Sequence, residues 1–108
     1  MFDYLLSKEQ LKIRDEAREF VKSIPRQTIL DMDADNIKFP KEFLSEAGKR
    51  NLLGCRYPKK WGGREMDWVT TCMLMEEIGT LGYEMACVFG VGAELVCDAI
   101  ILHGTDEQ

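Results

Sequence analysis

The chain has 108 residues, of which 45% are hydrophobic and 31% charged, and its formal net charge is −5. This composition is typical of one folded domain and excludes a disordered tail, while the negative charge argues against a nucleic-acid partner. The four cysteines form no Cys-x-x-Cys pair and a single histidine accompanies them, so the sequence predicts no metal site.

The sequence favours a cytoplasmic protein with reduced cysteines. The first residues, Met1 to Tyr4, lack the basic segment and apolar core of a secretory signal. The longest apolar stretch, from Met85 onward, contains Glu94 and Asp98. Because charged residues are rare within a bilayer-spanning helix, we expect no membrane span.

Four helical segments and no strand are expected. The first helix begins at a capping box, formed by Ser7 with Gln10 three residues later, and Pro25 ends or kinks it. Its apolar residues recur at steps of four, three, one and three, so they share one face: Ile13, Ala17, Phe20, Val21 and Ile24. A short, weakly periodic stretch and an acidic turn at residues 31–35 follow.

The second helix is expected to begin at Phe39-Pro40, with proline at the first helical position, and to stop at Leu52-Leu53-Gly54. Residues 55–66 are expected to be irregular, and Asp67 is the expected N-cap of a third helix. The last helix, from about Glu84 to His103, is apolar on most sides and is expected to lie centrally among the others. The predicted fold class is therefore an all-α helical bundle.

The last four residues predict the start of a further helix. Thr105 and Gln108 have the spacing of a capping box, and Gly104 is a residue type that ends helices. We therefore expect the bundle to be C-terminally truncated, with catalytic groups on chain beyond residue 108.

A loop from Lys49 to Arg64 contains six basic residues and no acidic one. Its lysines and the Gly62-Gly63 pair could face an anion such as a phosphate. We favour the alternative, a solvated loop that Tyr57 and Trp61 anchor against the helices, since lysines usually lie in water.

Glu94 and Asp98 are four residues apart, so both carboxylates project from one face of the last helix. They could form an acid–base pair or half of a di-metal site, but a di-metal site needs Glu-x-x-His units, which the chain lacks. We favour a solvent-facing or salt-bridged pair. His103 is expected to compensate the helix dipole at the end of its helix.

Two glycines, Gly90 and Gly92, lie in the interior of the last helix, where each costs about 1 kcal/mol relative to alanine. Close packing against another helix would offset that cost. Room for a flat or linear apolar ligand would offset it equally well, and the residues alone leave both interpretations open.

Six motifs follow one another across nearly all of the chain: the capped first helix from Ser7, Phe39-Pro40, Leu52-Leu53-Gly54, the YPKKWGG run of residues 57–63, the MEEIG run of residues 75–79 and the LHGTDEQ run of residues 102–108. Together they resemble the N-terminal helical domain of acyl-CoA dehydrogenases. The resemblance implies that residues 1–108 are followed by a middle β domain and a C-terminal helical domain.

This resemblance also implies a function for the complete protein. It would be an FAD-dependent oxidoreductase that introduces an α,β double bond into an acyl-CoA thioester, with FAD held mainly by the later domains and the catalytic glutamate in the C-terminal part. No catalytic or FAD-binding residue is then expected in this chain, and the chain alone should be inactive. The family further implies a homo-oligomer and, as electron acceptor, an electron-transfer flavoprotein.

By position, the resemblance assigns one wall of the acyl pocket to Val88, Val91, Gly92 and Leu95. Some straight-chain enzymes of the family have a polar residue where this chain has Val88 and Val91, and Glu94 and Trp61 also depart from the family pattern. These departures leave the length of the acyl chain open.

Several alternatives remain at the level of the sequence. Reductases, oxidases and flavin monooxygenases share the same scaffold as the dehydrogenases. Outside this family, the chain could be a stand-alone helical protein-interaction module or a small carrier of CoA esters or lipids.

Overall fold

Helices make up most of the chain, and among residues 2–108, which the computed structural model describes, there is no strand. Met1, part of the segment considered for a secretory signal, lies outside these residues. The helices are α1 (Lys8–Ser23), α2 (Arg26–Asp33), α3 (Lys41–Lys49), α4 (Trp68–Gly79), α5 (Tyr83–Gly90) and α6 (Val96–His103). Two short 3-10 turns lie at Asp3–Leu5 and Lys59–Trp61. The all-α prediction is confirmed.

Some elements differ from the sequence prediction. Helix α2 occupies the stretch after Pro25 that was described only as short and weakly periodic, and it contributes no fully buried side chain. Two of its side chains, Ile29 and Met32, are partly buried against the core. Pro40 is the N-cap of α3 instead of its first helical residue, and α3 ends at Lys49, before the Leu52-Leu53-Gly54 motif.

One hydrogen-bonded network joins the N-termini of α1 and α4. Ser7 Oγ accepts from the Gln10 backbone N–H at 3.1 Å, and Gln10 Oε1 accepts from the Ser7 N–H at 2.8 Å, which confirms the predicted capping box. Gln10 Nε2 donates to both carboxylate oxygens of Asp67. Asp67 in turn caps α4 by accepting from the Thr70 N–H at 2.9 Å, as predicted. The two helix caps therefore fix α1 against α4.

The core lies where α1, α3, α4 and α5 meet. The Phe20 and Phe43 rings stack with centroids 5.2 Å apart, and the Phe43 and Phe89 rings meet edge-on at 6.4 Å. The predicted apolar face of α1 is confirmed, and the core comprises Ile13, Ala17, Phe20, Phe43, Ala47, Leu52, Cys55, Leu74, Ile78, Met85, Phe89 and Ala93.

The last helix, which we define as Tyr83–His103, passes from α5 to α6 through a π-turn at Val91–Leu95. Its first half is central, as expected, because Met85, Phe89 and Ala93 are buried. Its second half differs from the expectation, since α6 contributes no buried side chain. In the described part of the chain, the other helices therefore wrap only the first half.

Length and apolar composition alone would allow the last helix to cross a membrane, contrary to what Glu94 and Asp98 suggested. The mean hydropathy of its most apolar window is 2.0. A single helix of this kind is weak evidence for a membrane span, because a core helix of a globular domain passes the same test.

The loop between α3 and α4 folds back on itself around Gly63. Residues 55–66 are irregular, as predicted, apart from the 3-10 turn. The Arg64 N–H donates to the Cys55 carbonyl oxygen at 3.2 Å, which closes the loop. A Cβ atom on Gly63 would lie 2.0 Å from the Tyr57 carbonyl oxygen, so this close approach of two backbone segments requires glycine.

We expect Gly63→Ala to lower the free energy of unfolding by about 1–3 kcal/mol, because the new methyl group would force the Tyr57 carbonyl to move. Gly79→Ala is the matched control, since a Cβ atom there would meet nothing within 4 Å. Denaturant unfolding followed by circular dichroism measures both. Equal unfolding midpoints for Gly63→Ala and the unsubstituted chain would contradict the packing described here.

We also expect the cysteines to differ in reactivity. Burial raises the pKa of the Cys55 thiol to about 11, whereas Cys72 is exposed. Because the thiolate is the reactive form, an alkylating reagent at mildly alkaline pH should modify Cys72 quickly and Cys55 only after unfolding. Peptide mass spectrometry measures the extent of alkylation at both cysteines over time. Labelling of Cys55 as fast as Cys72 would contradict the buried position of Cys55.

Candidate functional site

A groove of about 900 Å³ lies between the loop at residues 57–63 and the last helix. Apolar side chains form much of its lining: Leu44, Leu53, Pro58, Trp61, Ala93, Ile100 and Ile101. Gly92 and Cys97 face it from the last helix, and residues 104–108 border it at one end. The groove thus continues the core beyond the point where the other helices stop covering the last helix.

Two aromatic residues flank this groove, and they differ in how far they are exposed to solvent. Tyr57 is buried, so it anchors the loop as expected. Trp61 is 53% exposed, and the Lys60 ammonium lies 4.8 Å from the centre of its ring. Trp61 lines the groove and is about half covered, so the expectation that it also anchors the loop stays a prediction.

The four predicted wall residues lie on the last helix around the π-turn. Val91 and Leu95 are 50% and 67% exposed, and Val88 is half-buried. Gly92 lines the groove, whereas the other three are not among the described residues that line it. We call the set Val88, Val91, Gly92 and Leu95 the apolar stripe; its assignment to an acyl pocket stays a prediction.

The two glycines of the last helix serve different purposes. A Cβ atom on Gly90 would come within 2.9 Å of Met75 Cε, so this glycine permits close packing of the last helix on α4. A Cβ atom on Gly92 would meet nothing within 4 Å. Each of the two interpretations left open by the sequence therefore fits one glycine: packing fits Gly90, and open space for a ligand fits Gly92.

Arg56 lies at the centre of an ion-pair cluster on the last helix. Its Nη2 lies 3.1 Å from Glu94 Oε2 and 2.5 Å from Asp98 Oδ1. The Tyr57 hydroxyl lies 2.9 Å from the Glu94 carbonyl oxygen and 2.9 Å from Asp98 Oδ1, so it can donate to either. The favoured interpretation of Glu94 and Asp98 as a salt-bridged pair is confirmed. We call Arg56, Tyr57, Glu94 and Asp98 the Arg56 cluster.

The two carboxyl groups of this cluster differ in their electrostatics. Burial raises the pKa of Glu94, and the hydrogen bond from Arg56 only partly offsets this. Asp98 is more exposed, and the hydrogen bond that Arg56 donates to Asp98 dominates and lowers its pKa. Burial, followed by the hydrogen bond to Asp98, raises the pKa of Tyr57 far above its usual value. Asp98 is therefore the firmer charge partner of Arg56.

Two other cations of the basic loop also pair with carboxylates. Arg64 Nη1 lies 2.8 Å from Glu16 Oε2, and Lys59 Nζ lies 3.8 Å from Glu65 Oε2. These contacts neutralise much of the positive charge that suggested an anion site. They support the favoured interpretation of a solvated, structural loop. Among residues 2–108, the structure brings no three metal-ligating side chains together.

At the C-terminal end, the structure forms part of the predicted capping box. The Thr105 N–H donates to Gln108 Oε1 at 2.9 Å. His103 lies in the last turn of α6 and is exposed, which is the position expected for compensation of the helix dipole.

Arg56 was missed as a site residue in the sequence analysis. It was counted only as one of six cations in the loop, and its spacing from Glu94 and Asp98 carries no information about contact. Glu94 and Asp98 did indicate that a cation lies nearby, because two carboxylates on an apolar helix need one. The sequence could not say which cation.

Comparison with known proteins gives a consistent picture. Residues 7–108 match the family described as acyl-CoA dehydrogenase, N-terminal domain. A short-chain-specific acyl-CoA dehydrogenase of Clostridium acetobutylicum is 26% identical over 98% of this chain and 28% of its own length. The caffeyl-CoA reductase-Etf complex subunit CarC of Acetobacterium woodii is 28% identical over 94% of this chain and 27% of its own length. No solved structure gives a significant match.

A mitochondrial isovaleryl-CoA dehydrogenase of Bos taurus is 24% identical over 95% of this chain and 24% of its own length. The chain thus spans about a quarter of the length of the curated relatives it matches. Since the family match extends over residues 7–108 and the structure is all-α, the chain belongs to the acyl-CoA dehydrogenase family and corresponds to its N-terminal domain.

Proposed function

We propose that the complete protein is an FAD-dependent oxidoreductase that carries out α,β-dehydrogenation of an acyl-CoA thioester. In this proposal, the apolar stripe supplies part of the wall of the acyl pocket. The observation that carries it is the exposed position of Val91 and Leu95, beside the open space at Gly92, in a domain of this family. Exposed apolar side chains that adjoin one another mark a ligand or partner site more often than ones scattered singly.

The part of this chain in the proposed reaction is to bind and shape, without covalent chemistry. Val91 and Leu95 would contact the acyl chain and exclude water from it, and Gly92 would leave room for its carbon atoms. The apolar stripe has no group that could hold a pyrophosphate, and the nearby arginines are paired with carboxylates. We therefore assign no residue of this chain to FAD.

A reductase is the second candidate, because the CarC relative is named as a subunit of a caffeyl-CoA reductase-Etf complex. The same name supports an electron-transfer flavoprotein as the redox partner in either direction. We further propose a homo-oligomer in the cytoplasm, on the grounds of family membership and composition. A stand-alone interaction module would instead use the apolar stripe to meet a protein partner.

The first test is to express the full reading frame that contains this domain and to purify its product. The product should carry FAD, and its flavin should be reduced when an acyl-CoA is added. The 108-residue chain, purified in parallel, should show no flavin absorbance and no dye reduction. Stoichiometric FAD binding by the 108-residue chain, or a reading frame that stops after codon 108, would contradict the proposal.

A second test uses Gly92→Leu in the complete enzyme. The new side chain should enter the acyl pocket, so the acyl-CoA with the highest kcat/KM should become shorter. Stability should change little, because the position is open and glycine is already unfavourable in a helix.

Gly79→Leu is the matched control, since it adds the same side chain at another open helical position, away from the apolar stripe. It should leave the chain-length profile unchanged. A large loss of stability in Gly92→Leu with an unchanged profile would show that Gly92 serves packing only.

A further inference from the structure

Arg56 contacts two residues of the last helix, one on each side of the point where the π-turn ends. Glu94 lies within the π-turn Val91–Leu95, and Asp98 lies in the first turn of α6. One guanidinium nitrogen binds both carboxylates, and the neighbouring Tyr57 hydroxyl contacts the Glu94 backbone carbonyl oxygen. The loop therefore holds both a side chain and the backbone of the π-turn.

The Arg56 side chain is itself held in place. Its guanidinium carbon lies 3.7 Å from the centre of the Trp68 ring and 4.9 Å from the centre of the Tyr57 ring. Only 16% of the side chain is exposed. A planar cation stacked in this way loses little further freedom when it binds two carboxylates. A lysine ammonium is not planar and would lose the stacking on both rings.

A π-turn has i→i+5 hydrogen bonds, which enclose one more residue than those of an α-helix, and such turns are rare inside helices. A return to regular α-helix would rotate the residues on one side of the turn by about 100° relative to the other side. Val91 and Leu95 begin and end the π-turn, and Glu94 lies between them. Whatever fixes Glu94 therefore also fixes two side chains of the apolar stripe.

We propose that Arg56 is a positioning residue: by holding Glu94 and Asp98 it stabilises the π-turn and sets where Val91 and Leu95 stand in the acyl pocket. The role in the pocket rests on the function proposed above. The proposal that Arg56 stabilises the π-turn rests only on its contacts with Glu94 and Asp98.

The test compares Arg56→Met, which keeps much of the packing on Trp68, with Arg56→Lys and with a control, Arg18→Met. Arg18 also makes an ion pair between elements, at 2.7 Å to Glu77, but on α1 and α4. In the 108-residue chain, amide hydrogen exchange of residues 91–98 should be about tenfold or more faster in Arg56→Met. It should be intermediate in Arg56→Lys and unchanged in Arg18→Met.

In the complete enzyme, Arg56→Met should change the preferred acyl-chain length, seen as altered KM values across a series of acyl-CoAs. The kcat for the best substrate should stay within a few-fold, because Arg56 touches no reacting group. Should Arg56→Met fail to fold, Asp98→Asn is the substitute, since it removes the charge with little change of shape and has the same expected effects.

The outcomes separate this inference from the proposed function. Unchanged exchange at residues 91–98 would overturn the hold on the π-turn. Faster exchange with an unchanged chain-length profile would overturn the positioning role, and the continued turnover would leave the proposed function standing. An unsubstituted complete protein without activity on any acyl-CoA would overturn the proposed function and the role in the pocket, while the exchange data would still report on the π-turn.

Discussion

The structure depends on the contact of three phenylalanine rings from three helices. Phe20 on α1 stacks on Phe43 on α3, and Phe43 meets Phe89 on the last helix. All three side chains are buried, and removing such a ring from a core typically costs about 3–5 kcal/mol. These contacts fix the first half of the last helix and so determine which of its other residues are left uncovered.

The second half of the last helix is held in a different way. Beyond Ala93, polar contacts from the loop replace burial, with Arg56 and Tyr57 binding Glu94 and Asp98. Polar contacts fix the position of a helix without covering its apolar surface. The helix can therefore present Val91 and Leu95 outward while it stays in register with the core, which is the arrangement that a binding wall requires.

The sequence predicted those features that depend on neighbouring residues. The capping box at Ser7, the N-cap at Asp67 and the apolar face of α1 all follow from local spacing, and the structure confirms them. Helix α2 was missed because it is short and packs only partly buried side chains, such as Ile29 and Met32, against the core, which leaves a weak periodicity. The π-turn was missed because no local spacing in the sequence marks it, and the partner of Glu94 was missed because Arg56 lies 38 residues away in sequence.

Exposure of α6 was missed for a related reason. Hydropathy shows that residues such as Ile100 and Ile101 are apolar, but it does not show which other part of a protein covers them. The central claim is that the apolar stripe forms a wall around an acyl chain. A crystal structure of the complete protein with a bound acyl-CoA tests it most directly. Acyl carbon atoms in van der Waals contact with Val91, Gly92 and Leu95 are the predicted result; an acyl chain bound elsewhere, with the stripe covered by protein side chains, would contradict it.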